Sequence, residues 1–381
     1  MFKMNTFKRT IAVVALLSGF LWACGESSTT EPAPDDDSKD RKAVLTHLAD
    51  EIILPAYANF KPKLETMIAK SQAFSAKPDA TTLSEFRQAW VDAYTEWQKV
   101  ELFDVGPANK TGIRNYYNIY PTNVTGINDY MADPSVNLEV ASSYDKQGFP
   151  ALDYLINGVG ATDAQIVAYY TASVEGPKRL AYIKRITDHM NALITKVIAD
   201  WNGSYRTEFT TKTGLDIGSP MGELVNGYVL HYERYIRSGK FGIPSGAMLN
   251  GVVASDKVEG FYKKDISKIL AQTAHQAAVD FFNGKSVKTG TNGAGFKTYL
   301  DALGAKDSAT GKTLSETINA QFDIANQKIN GLKPNFFEEV KTNNAAMVQV
   351  YTEMQKAVRM LKVDMTSAMS IVITYTDNDG D

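Results

Sequence analysis

Phe86-Arg87-Gln88-Ala89-Trp90-Val91-Asp92-Ala93-Tyr94-Thr95-Glu96-Trp97-Gln98-Lys99-Val100 decides the fold class of this 381-residue chain. Phe86, Trp90, Ala93, Tyr94, Trp97 and Val100 recur at steps of three and four, which lays them along one stripe and predicts an amphipathic helix from Thr82 to Phe103. Comparable patterns run through 40–75, 178–201, 220–238, 256–283, 313–330 and 343–365, whereas alternating strand patterns are nearly absent. Gly106-Pro107, Gly176-Pro177 and Gly242-Ile243-Pro244 punctuate the joins. A helix with a single apolar stripe buries it only against another such stripe. The expectation is therefore an all-α fold of two helical bundles of the four-helix type packed together. A soft boundary near residue 215 gives halves of 41–215 and 216–381. Ile371-Val372-Ile373-Thr374-Tyr375 is short and β-branched and predicts an extended C-terminal strip.

The chain begins with a different kind of segment. Lys3, Lys8 and Arg9 precede an apolar run from Ile11 to Ala23, too short for a permanent membrane span, which reads as a targeting signal over 1–23. Leu21-Trp22-Ala23-Cys24 resembles a bacterial lipobox, in which the cysteine carries the lipid after cleavage; Trp22 departs from the usual small residue there. Cys24 is the only cysteine and has no partner for an intramolecular disulfide. Cleavage lowers the 40 basic residues to 37 against 43 acidic ones, a formal charge of −6, and such a balance argues against a nucleic-acid partner. The Ser-, Thr-, Pro- and Asp-rich stretch up to Asp40 reads as a flexible tether over 24–40.

Several segments together resemble the imelysin-like bacterial proteins. Ala89-Trp90 through Phe103 and Gly106-Pro107 is similar to the family's first tryptophan-bearing helix and the turn after it. Tyr120-Pro121, Gly148-Phe149, Leu224-Val225-Asn226 and Ser238-Gly239-Lys240-Phe241-Gly242-Ile243-Pro244 follow in the family's order, as does the ending from Leu361 to Asp381. The resemblance implies two four-helix bundles, an envelope location and a link to iron uptake. It also brings a name derived from an insulin-cleaving membrane protease. Within it, Gly148-Phe149-Pro150-Ala151-Leu152-Asp153 stands where the family has Gly-x-His-x-x-Glu, with Pro150 in place of the histidine and Asp153 in place of the glutamate. A histidine and a carboxylate three positions apart on a helix can meet at one ion or proton. A proline side chain can neither ligate a metal nor carry a proton.

Other sources of chemistry are sparse. None of His47, His189, His231 and His275 has a second histidine or a glutamate at the offset of a zinc-protease helix. His47 with Asp50 reads as a capping or surface pair, and Glu223 lies two turns, ~12 Å of rise, from His231. The acidic end Asp377 to Asp381 lacks the spacing of a calcium loop, and Gly290 to Gly295 lacks the Lys of a phosphate loop. No catalytic residue, metal site or cofactor is therefore expected. The Trp90 and Trp97 stripe reads first as core. Around it, Trp97, Glu101, Arg114, Tyr120, Gly148, Pro150, Asp153 and Lys240 are the candidate ligand-binding residues of one cleft, with Asn118 beside them. For Asp153 the competing reading is a purely structural charge at a helix start.

The reading is a non-catalytic, lipid-anchored protein of the bacterial envelope, at the outer membrane, that binds in iron or haem acquisition. Its expected partners are membrane lipid and an outer-membrane receptor or iron-related ligand. A divergent imelysin-type peptidase and a purely structural partner of an outer-membrane receptor are the alternatives. Several acyl chains together hold a protein firmly where one holds weakly, so Cys24→Ser should move the protein from the membrane pellet to the soluble fraction. A mutant that still sediments with membranes contradicts the anchor.

Overall fold

Helix dominates residues 36–376, the part of the chain that the computed structural model describes. Among these residues no strand forms, and β pairing is confined to two isolated antiparallel bridges, Lys285 with Asn292 and Lys306 with Thr313. The signal at 1–23 and Cys24 lie outside the described residues, as does the end of the chain from 377. Helix α1 (Asp36–His47) starts inside the stretch read as a tether, so residues 36–40 are helical. It continues through a π-helical turn, Leu48–Ile53, into α2 (Leu54–Ala76).

Helix α3 (Ala80–Trp97) carries the stripe that opened the sequence, with Leu83, Phe86, Ala89, Trp90, Ala93, Tyr94 and Trp97 buried. Its start is fixed by a capping box: the Asp79 carboxylate accepts the Thr82 N–H at 2.9 Å, and the Thr82 hydroxyl accepts the Asp79 N–H at 3.2 Å. The expected helix to Phe103 ends early. Past Trp97 the chain tightens into turns, with Val100 and Glu101 both donating to the Trp97 carbonyl. Those turns keep Val100, Leu102 and Phe103 buried while delivering Gln98 and Glu101 to a polar site.

The loop from Gly106 to Pro121 is built rather than open. Short helices Pro107–Thr111 and Ile113–Tyr117 meet at Gly112, whose φ of 61° turns the chain between them. Further along come α4 (Gly148–Asp153), α5 (Gly176–Asp200), α6 (Pro220–Leu230), α7 (Ser267–Phe282), α8 (Leu314–Asn330) and α9 (Phe336–Arg359). Helix α6 runs on as a π-helix from His231 to Gly242, past the expected end at 238. The helix expected from 256 begins only at Ser267. Gly260 at φ 70° and Lys264 at φ 72° are left-handed, and a right-handed helix cannot pass through them.

Helices α2, α3 and α5 pack together in the first half; α7, α8, α9 and the π segment 231–242 do so in the second. The two sets are not separate bodies. Helix α3 touches α7, and α1 packs against residues 206–211 and 296–302, so the described residues belong to one compact unit. The segment around 215 is the non-helical join within it. Residues 371–376 are non-helical, and Asn226 of α6 stands in for a neighbouring strand: its side chain accepts the Thr374 N–H at 2.8 Å and donates to the Val372 carbonyl at 3.0 Å.

Candidate functional site

Gly148 to Asp153 forms α4, and every residue in it is buried. Gly148 has φ 75°, and a Cβ there would lie 2.3 Å from the Tyr117 carbonyl oxygen, so only glycine lets α4 press on the 113–117 helix. Phe149 stacks on Tyr94 with ring centres 4.6 Å apart and planes 5° from parallel, and its carbonyl accepts the Trp90 indole N–H at 3.2 Å. Asp153 is taken up by a loop. One carboxylate oxygen accepts the Tyr262 N–H at 2.9 Å, and the other accepts the Lys263 N–H at 2.9 Å and the Asn157 amide at 3.0 Å. Both oxygens of Asp153 are thus spent on donors, two of them the backbone N–H groups of residues 262 and 263.

A second set of polar groups lies buried between the two halves. Glu259 and Lys240, each side chain 2% exposed, form an ion pair. The other Glu259 oxygen accepts from the Tyr94 hydroxyl at 2.9 Å, the Gln98 amide at 3.0 Å and the Asn118 amide at 2.8 Å. Lys240 also donates to Gln98 at 2.7 Å. Asn118 donates as well to both oxygens of Glu101, at 3.1 and 3.2 Å. Gly239, next to Lys240, sits so close to Tyr120 that a Cβ would be 3.2 Å from its hydroxyl. The network has four sources: α3 with the turn after it, the 113–121 segment, the π segment 231–242, and the loop before α7.

Beside it opens a cleft of about 360 Å³, lined in part by Glu101, Arg114, Asn118, Tyr120, Arg234, Tyr235, Leu249 and Lys257. Arg114 is 7% exposed; its guanidinium lies 3.3 Å over the Tyr235 ring and donates to Asn115 at 2.8 Å, while its Nε has no partner. A smaller cavity of about 170 Å³ shares Tyr120 and Pro121 and reaches Pro150 and Asp153. Glu101, Arg114 and Tyr120 therefore line one cleft, with Lys240 buried behind it. Pro150 and Asp153 belong to its neighbour, Tyr120 being common to both.

Trp97 lines neither cavity. It is a core residue between Phe60 and Tyr117, at ring separations of 5.4 and 4.5 Å. Gly148 acts through its backbone. Glu259 and Tyr235 escape sequence reasoning, Glu259 because it falls in a stretch whose apolar spacing imitates a helix. A larger cavity of about 650 Å³, between α2 and α7, is bordered by Lys285 and Lys99, which are already paired with Asp280 and Glu96. Among the described residues no group of three or more His, Cys, Asp or Glu side chains converges as a metal site would require.

The model of the imelysin family matches residues 53–365, and the chain belongs to that family. An imelysin-like protein from Psychrobacter arcticus 273-4 shares the fold at 18% identity and a TM-score of 0.68, with 90% of this chain and 99% of that one covered. A candidate iron-regulated protein A precursor from Parabacteroides distasonis ATCC 8503 does so at 15% identity and a TM-score of 0.67, covering 88% and 97%. No curated protein matches the chain significantly.

Burial sets the charge states of the site. The Glu101 carboxyl is pushed up to about 7 by burial, with Glu259 adding to the rise and Lys240, Arg114 and Asn118 opposing it. Asp153 is pushed up to about 7 by burial against the pull of its three hydrogen-bond donors. His231, buried with both ring nitrogens unpartnered, is held well below the usual histidine range by burial and by Lys240 and Arg114. Below the ordinary value of 4.5, Glu101 is protonated in both folded and unfolded chains. Between 4.5 and about 7 the unfolded chain releases a proton that the folded one keeps, so stability falls as pH rises through that window. Glu101→Gln removes this fall, while the contribution of Asp153 is common to both proteins. Between pH 5 and pH 8 the mutant should gain roughly 2–3 kcal/mol relative to wild type, read from melting curves of both proteins at the two pH values. A difference that does not change with pH contradicts a buried, neutral Glu101.

Proposed function

We propose that the protein is a non-catalytic binder of the cell envelope, lipid-anchored through Cys24 and acting in iron or haem acquisition, with the Arg114–Tyr235 cleft as its binding site. The observation that carries this reading is a buried arginine with an unpartnered Nε at the wall of an open cleft, backed by a buried, hydrogen-bonded polar network. A cleft with apolar walls and a few fixed polar groups is the usual make-up of a small-ligand site. Two features support a binder over an enzyme. Pro150 offers neither a ligand atom nor a proton where the family has histidine, and Asp153 has both oxygens occupied by donors. Membership of the imelysin family, and likeness to a structure described as a candidate iron-regulated protein A precursor, support the iron connection. Among the described residues no helix is long and apolar enough to cross a membrane.

The test is growth of a strain lacking the gene on iron-limited medium. Wild type should restore growth, and Arg114→Gln should restore it less than half as well while the purified variant keeps its melting temperature within a few degrees. Full restoration by Arg114→Gln contradicts the assignment of the cleft. Insulin cleavage by the purified protein that is lost in Asp153→Asn would instead favour the peptidase alternative.

A further inference from the structure

Three cationic side chains reach the cleft, Arg114, Arg234 and Lys257, against a single acid, Glu101. Glu101 is held by Asn118 and pushed toward its neutral form by burial. None of the three cations makes an ion pair among the described residues. Arg114 stacks on Tyr235 and donates to Asn115, and Arg234 donates to the Thr376 carbonyl at 2.8 Å. Lys240, just behind the cleft, shows the contrast, since it is neutralised by Glu259. Like charges gathered at a concave, low-dielectric wall repel one another, and an anion placed between them lowers that energy.

The remaining wall is apolar. Ile119, Pro121, Ile243 and Leu249 line the cleft with the Tyr235 ring. Val252 and Val253, 66% and 48% exposed, follow Leu249 in the same loop. Gly246, Asn250 and Gly251 hold that loop in left-handed backbone conformations.

We propose that the cleft takes a small organic anion with an apolar body, its acid group set among Arg114, Arg234 and Lys257 and its body laid against Ile119, Ile243 and Leu249. This rests on the reading of the cleft as the binding site and adds the chemical class of the ligand. A guanidinium meets carboxylate, sulfonate or phosphonate through planar, directed donors, while the ammonium of Lys257 acts as a point charge. The about 360 Å³ of the cleft falls within the range of small-molecule sites, at its lower end.

Titration of the purified protein with 2-naphthoate, 2-naphthylmethanol and 2-naphthylmethylammonium separates charge from shape, because the three share a ring and differ in the head group. Naphthoate should bind at least tenfold more tightly than the neutral alcohol, and the ammonium least of all. Lys257→Gln should weaken naphthoate about fivefold and Lys257→Glu more, with melting temperature unchanged, since Lys257 has no partner to lose. Equal binding of acid and alcohol, no binding of naphthoate at millimolar concentration, or indifference to Lys257→Glu each overturns the inference. If naphthoate fails while Arg114→Gln still impairs growth on low iron, the ligand class is wrong and the site assignment stands. If naphthoate binds as stated and Arg114→Gln restores growth fully, the class stands and the iron role falls.

Discussion

The buried ion pair of Lys240 with Glu259 is the interaction on which the site depends. Taking two such charges out of water costs several kcal/mol per ion, and only close contact with further hydrogen bonds offsets it. Here Tyr94, Gln98 and Asn118 supply those bonds to Glu259, and Gln98 supplies one to Lys240. Tyr94 and Gln98 come from α3 and the turn after it, Asn118 from the 113–121 segment and Lys240 from the π segment, so satisfying the pair fixes these three relative to one another. Asn118 then passes the constraint on to Glu101, and Gly239 brings Tyr120 against the backbone beside Lys240. The cleft is what that arrangement leaves open on one side.

The Gly148 to Asp153 segment is fixed by packing and backbone contacts. Gly148 is required by the carbonyl of Tyr117, Phe149 by the stack on Tyr94 and the bond from Trp90, and Asp153 by the backbone of Tyr262 and Lys263. Pro150 sits buried in the first turn of α4, where a missing N–H costs little. Asp153 also settles the loop before α7, the loop that carries Glu259, so the 148–153 segment and the buried pair are mechanically joined. Its carboxylate serves that loop rather than the start of its own helix.

Helix type and the order of the helices were legible because burial imposes spacing: Leu83, Phe86, Trp90, Ala93, Tyr94 and Trp97 of α3 are buried at three- and four-residue steps. The ends were less so. Val100 and Phe103 keep the rhythm of the stripe in tight turns, and Val258, Phe261 and Ile266 mimic a helix across a loop whose left-handed Lys264 leaves no mark in composition. That loop hid Glu259. Glu101, Arg114 and Tyr120 could be nominated as neighbours of the tryptophan helix, whereas Trp97 itself went to the core, because a stripe residue reveals that it is buried and not what it faces. Pairing across 19 residues and a change of direction, as between Lys240 and Glu259, has no periodic signature at all.

A double-mutant cycle on Lys240 and Glu259, followed by denaturant unfolding, measures the constraint itself. Lys240→Met and Glu259→Gln alone should each cost about 3–5 kcal/mol, because each strands a buried charge, and the double mutant should cost well below their sum, with a coupling above about 2 kcal/mol. Additive losses, with the double mutant as unstable as the two single effects combined, would mean that the pair does not hold the halves together and that the cleft owes its shape to something else.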